Sequence, residues 1–77
     1  MIELHNVIKQ IRQDLNMSQM AFAEKMHVSF STVNRWENGH TKPNHLATVT
    51  MIELCHKESV NQNLTSALLA YSNVERD

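Results

Sequence analysis

A chain of 77 residues with one glycine and one proline has few means of making tight turns. Two-residue hairpin loops call for positive φ, which glycine adopts without steric penalty, and other turns draw on proline. Few hairpins can be built from Gly39 and Pro43 alone. An all-α fold is therefore expected, a compact bundle of four to five helices.

The length allows one domain. A domain so short buries only ~60% of its unfolded surface, so it needs short connections or a partner. With 42% hydrophobic and 19% charged residues, the composition suits a folded globule rather than a disordered tail.

Leu4, Ile8, Ile11 and Leu15 form one stripe of an amphipathic helix from about Ile2 to Leu15, and Asn16-Met17 breaks it. Ser18 suits an N-cap, and a short helix follows with Phe22, Ala23 and Met26 inward. After a tight connection at His27-Val28, Ser29 caps a third helix from Phe30 to about Asn38, with Val33 and Trp36 as core residues. Gly39 stands where a left-handed turn would end it. Asn44 caps a fourth helix to about Cys55, on which Leu46, Ala47, Val49, Met51, Ile52 and Leu54 cover most of the circumference; such a helix is expected in the middle of the fold. Ser59 and Gln62 fit a capping box for a fifth helix from Val60 to about Asn73, with a stripe of Leu64, Ala67, Leu68, Tyr71 and Val74. The terminal Glu75-Arg76-Asp77 is expected to fray.

Several function classes lack support. No apolar run approaches the ~20 residues of a membrane helix, and Met1-Ile2-Glu3-Leu4-His5 lacks the regions of a signal peptide. Cys55 has no second cysteine to pair with, which fits a reducing cytoplasm. Adjacent on a helix, Cys55 and His56 point about 100° apart, so a small core residue is the better reading of Cys55. The five histidines show no zinc spacing, so neither metal nor cofactor is expected. No second carboxylate stands at a catalytic spacing from Glu37, and no enzymatic activity is expected.

The net charge of −1 argues weakly against nucleic acid, but the distribution is uneven. Five basic residues face three acidic ones from Lys9 to Pro43, and two face four from Asn44 onward. Basic excess in the first half permits DNA binding there.

The informative segment is 18–37. Two short helices with a brief connection cross steeply, Ala23 leaves room at the crossing, and Val28 plugs the turn. Val33 and Trp36 anchor the second helix from below, so its opposite face carries Phe30, Ser31, Thr32, Asn34 and Arg35. A helix of this size fits the major groove.

Met17-Ser18-Gln19, Phe22-Ala23, Val28-Ser29, Thr32-Val33, Trp36-Glu37-Asn38-Gly39 and Pro43 together resemble the phage repressor and Cro type of helix-turn-helix, the XRE family, over roughly Val7 to Cys55. The resemblance implies a sequence-specific DNA-binding regulator, a repressor or autoregulator, with its helix-turn-helix domain at 1–58. It implies that Gln19 contacts a phosphate and braces the recognition helix. Phe30 and Ser31 match the first base-contacting positions and Arg35 one a turn later, where arginine suits the paired acceptors of guanine. Asn38 and the loop His40-Thr41-Lys42 match a segment on the sugar-phosphate backbone. Thr32 and Asn34 fit backbone or water-mediated contacts, and the caps Ser18 and Ser29 complete the interface. Arg12 and Glu37 match a structural ion pair.

Two positions depart from the family. His27 stands where glycine is common, and a left-handed residue there would cost ~1–2 kcal/mol, so a reshaped turn is expected. Phe30 stands where glutamine is common and cannot hydrogen-bond a base; it packs either on a thymine methyl or back on the core. Residues 59–77 carry no family signature. Their stripe suits packing on the domain or a homodimer seam, the dimer binding a palindromic operator. The alternative is an antitoxin-like or adaptor protein whose segment 59–74 binds a protein partner, with the helix-turn-helix serving autoregulation.

Overall fold

The computed structural model describes residues 3–75, and side chains through residue 72. Five helices follow one another: α1 (Leu4–Asp14), α2 (Gln19–Met26), α3 (Phe30–Glu37), α4 (His45–Lys57) and α5 (Gln62–Glu75). No strand occurs among the described residues. The expected helix start at Ile2, the stripe residue Val74 and the frayed Arg76-Asp77 lie outside what is described; α5 itself runs through Glu75.

One apolar cluster holds the helices together. Leu4, Val7, Ile8 and Ile11 of α1 meet Phe22, Ala23 and Met26 of α2, Val33 and Trp36 of α3, Met51, Ile52, Leu54 and Cys55 of α4, and Leu68 of α5. Packing joins α2 to α3, α1 to both α3 and α5, and α4 to both α5 and α2. The N-terminal caps are those of the sequence reading: Ser18 Oγ accepts from the Ala21 N–H, Ser29 Oγ from that of Thr32 and Asn44 Oδ1 from that of Ala47.

Four helices close through a left-handed residue, at Asn16, His27, Gly39 and Ser59, with φ of 58, 61, 76 and 57°. In each case the next residue's N–H returns to a carbonyl in the last turn: Met17 to Arg12, Val28 to Ala23, His40 to Arg35 and Val60 to Cys55. This is the Schellman arrangement, and it satisfies carbonyls that would otherwise lack partners. Only Gly39 adopts it without a side-chain penalty. A Cβ there would also lie 3.4 Å from Nδ1 of His5.

These turns correct two expectations. The turn at His27 is not reshaped: the residue takes φ 61, ψ 39, and the strain is offset by the returning hydrogen bonds and by Val28 packing on the core. Ser59 does not open α5 in a capping box, because it is the left-handed residue that closes α4. The start of α5 falls to Asn61, whose Oδ1 accepts from the Asn63 N–H and whose own N–H donates to Asp14 Oδ2 at 2.9 Å, tying α5 to the end of α1.

Two further corrections concern apolar faces. Far from sitting inside, Leu46 of α4 is 74% exposed. The inward face instead runs through Thr48, Met51, Ile52 and Cys55, with Leu54 beside it. Thr48 is tolerated there because its hydroxyl donates to the Asn44 carbonyl at 2.9 Å. On α5, Leu68 is fully buried while Leu64, Ala67 and Tyr71 are half-buried against the core. Leu68 therefore belongs to the monomer's interior and is not part of an exposed seam.

Candidate nucleic-acid interface

The short helix α3 carries the candidate site, and its orientation is set at its C-terminal end. Glu37 accepts three hydrogen bonds. Arg12 donates from Nε to Oε2 at 2.7 Å and from Nη2 to Oε1 at 3.1 Å, and Gln19 Nε2 donates to Oε1 at 3.0 Å. Side-chain exposure is 14% for Arg12 and 3% for Glu37, so the pair is largely desolvated. Two parallel N–H···O bonds to one carboxylate fix geometry as well as charge. A third Arg12 bond, from Nη1 to the Met17 carbonyl at 2.9 Å, holds the chain just before α2 begins.

From Glu37 the network runs outward. Asn34 Nδ2 donates to Gln19 Oε1 at 3.3 Å, and Asn38 Nδ2 donates to Asn34 Oδ1 at 3.1 Å. Gln19 thus links α2 to two points on α3, and its amide nitrogen keeps one further N–H. The chain of contacts Arg12–Glu37–Gln19–Asn34–Asn38 joins three helices.

The outer surface of α3 follows from helical spacing. Phe30, Asn34 and Asn38 form one row at intervals of four, and Ser31 and Arg35 form the next. Phe30, Ser31, Arg35 and Asn38 are exposed and Asn34 is half-buried. At the N-terminal end the hydroxyls bond one another, Ser29 to Ser31 at 3.1 Å and Ser29 to Thr32 at 2.8 Å. Thr32 turns to the opposite flank, where with His27, Trp36, Lys42, Leu46 and Thr50 it lines a groove of about 490 Å³ beside α4. Among the described residues, the Arg35 and Lys42 side chains make no hydrogen bond or ion pair.

The sequence-derived site residues therefore divide. Phe30, Ser31 and Arg35 stand together on the outer face of α3, and Asn34 and Asn38 border it as members of the network. Ser18 and Ser29 lie exposed at the starts of α2 and α3, and half-buried Thr41 and exposed Lys42 follow α3. Thr32 does not share the outer face. Phe30 does not fold back on the core: it is 47% exposed. The bonds Gln19–Asn34 and Asn34–Asn38 were not anticipated, although the spacing of four between the two asparagines was a visible signal.

Outside this region little offers chemistry. Burial pushes the Cys55 thiol above its ordinary value; a hydrogen bond with Thr65 pulls it down, and the Asp14 charge raises it further. A thiol held protonated in this way is a poor nucleophile. Among the described residues no group of three or more His, Cys, Asp or Glu is placed to hold a metal ion. No helix among them is long and apolar enough to cross a membrane.

Two short helices in contact across a tight turn, the second pinned at its far end and bare on its outer face, define a helix-turn-helix. Residues 8–44 match the family described as helix-turn-helix. The chain is similar to the antitoxin HigA-2 of Vibrio cholerae serotype O1, with 40% identity over 50 residues, covering 65% of this chain and 47% of that protein. It thus spans about half the length of the curated relative it matches. No solved structure matches it.

Proposed function

We propose that the chain is a sequence-specific DNA-binding transcriptional regulator, a repressor or autoregulator, that lays α3 in the major groove. The observation that carries this reading is the state of α3: its inner residues are bonded to α1 and α2, while Arg35 is exposed and unpaired on its outer face. Arg35 suits the O6 and N7 acceptors of guanine. Lys42, Thr41 and the remaining N–H of Gln19 suit phosphates, and the exposed starts of α2 and α3 at Ser18 and Ser29 present helix N-termini to the same anions. No catalytic role is proposed, since the Glu37 carboxylate is consumed by Arg12 and Gln19 and the Cys55 thiol is buried.

One α3 reads only a few base pairs. Two half-sites one turn apart require recognition helices about 34–36 Å apart on one DNA face. The molecule measures 29 × 26 × 22 Å between backbone extremes, so copies on successive turns would nearly touch. A two-fold dimer on a palindromic operator is the proposed assembly, its contact made by a surface other than Leu68. Enriching duplexes from a random pool with the full chain tests the reading. A palindromic consensus is expected, with binding weakened in Arg35→Ala. A pool without enrichment refutes DNA recognition, and a single asymmetric site refutes the dimeric assembly.

A second reading is favoured by the similarity to an antitoxin: the chain neutralises a protein partner and uses α3 for autoregulation. Leu69, 38% exposed on α5, is one apolar residue available for such a contact. A stoichiometric complex isolated from native cells, lost in Leu69→Asp while DNA binding persists, would support it. Recovery of the chain with copies of itself alone would count against it.

A further inference from the structure

We propose that Phe30 reads the C5-methyl group of a thymine, so that the chain discriminates thymine from uracil at one position of each half-site. This rests on the DNA-binding reading above and names a determinant within it.

Phe30 is the first residue of α3, and a helix entering the major groove presents its N-terminal residues to base edges. Its ring is 47% exposed. The ring has no donor or acceptor, so neither a phosphate nor a polar base edge can be its partner. The thymine methyl is the apolar group on a major-groove edge.

The surroundings of the ring leave it this task. Ser31 and Thr32 are bonded to Ser29, and Asn34 is held between Gln19 and Asn38. The polar side chains near the start of α3 thus each have a partner within the protein, and Phe30 and Arg35 are the outer-face side chains that make no hydrogen bond. They stand five positions apart, a rise of about 7.5 Å along the helix, or roughly two base-pair steps of 3.4 Å. The methyl-sensitive pair should therefore lie about two base pairs from the pair whose preference Arg35 sets.

The test uses the full chain and a duplex enriched from a random pool. Each thymine is replaced singly by uracil, which removes the methyl and leaves the hydrogen-bonding edge intact. Wild-type protein should lose about fourfold in affinity at one thymine per half-site, the worth of one buried methyl, and should bind as before at the others. Phe30→Ala and Phe30→Gln should bind the thymine and uracil duplexes equally, with thermal melting to confirm that these exposed-site variants fold. Equal wild-type affinity for every uracil duplex would overturn the proposal. So would a Phe30→Ala protein that keeps the preference, or one in which Phe30 contributes equally to both duplexes, as a ring wedged between base pairs would. A wild-type protein that binds no duplex would sink the DNA-binding reading itself, a different result from binding without methyl discrimination.

Discussion

At the C-terminal end of α3, Glu37 has 3% of its side chain exposed and accepts from Arg12 and Gln19. Seven residues earlier, Phe30 stands 47% exposed at the N-terminal end, where the hydroxyls bond one another and cap the helix at the Thr32 N–H. The same eight-residue helix is pinned at one end and open at the other. Holding a short helix by a charged network at one end sets its direction without covering the face it presents. The open end can then vary in sequence at little expense to the fold.

The sharpest way to break this contrast is to remove the pin. Arg12→Met leaves Glu37 buried without its cation, and loss of one partner from such a pair typically costs about 3–5 kcal/mol. Urea melts should show this, whereas a wild-type midpoint would mean that the pair contributes no orientation energy. Leu68→Ala provides a comparison from the apolar side of the molecule. A fully buried leucine truncated to alanine loses about 2–5 kcal/mol, but α3 keeps its network, so affinity for the selected duplex should hold at temperatures where the variant is folded. A loss of affinity as large as that of Arg12→Met would show that the network has no separate role.

At the open end the effects move from stability to binding. Arg35→Ala should cost about 1–3 kcal/mol on the preferred site and relax the preference at one base pair. Lys42→Ala should weaken all sequences alike and reduce the salt slope by about one. Matched and mismatched duplexes titrated at several salt concentrations separate the two, and identical sequence-blind losses would remove the distinction. The smallest effect lies in the turn that leads into the open end. His27→Gly relieves a left-handed residue worth ~1–2 kcal/mol but loosens the unfolded chain by ~0.4–1 kcal/mol. A net gain between zero and about 1.6 kcal/mol should hold or raise the melting temperature; a lower melting temperature would show that the imidazole makes contacts outweighing its strain.

Helix number and order, and the N-terminal caps of α2, α3 and α4, were legible in the sequence, because the spacing of Leu4, Ile8 and Ile11 and the side chains of Ser18, Ser29 and Asn44 act locally. The helix C-termini were not. Gly39 was readable as a left-handed turn, but Asn16 and Ser59 take the same conformation with no glycine to announce it, and at His27 the absence of glycine pointed to a different turn. Burial on α4 departs from hydropathy for a related reason: the apolar set that covers most of its circumference includes Leu46 and leaves out Thr48, whereas a hydroxyl satisfied by Asn44 can be buried and a leucine in the first turn can overhang the core. At the candidate site, the identity of Arg12 and Glu37 could be drawn from the family resemblance. The bonds from Gln19 to Glu37 and Asn34 depend on how α2 and α3 cross, which no local pattern records.

The network through Gln19 has a bearing on how a mutational survey of this chain would look. Scored by operator affinity alone, Arg12 on α1 should rank beside Arg35, although its guanidinium is turned inward to Glu37 and the Met17 carbonyl. A map of sensitive positions would then extend through the thickness of the domain rather than outline a footprint. Residues that touch the ligand and residues that aim the helix would separate only when each variant's affinity is plotted against its own melting temperature.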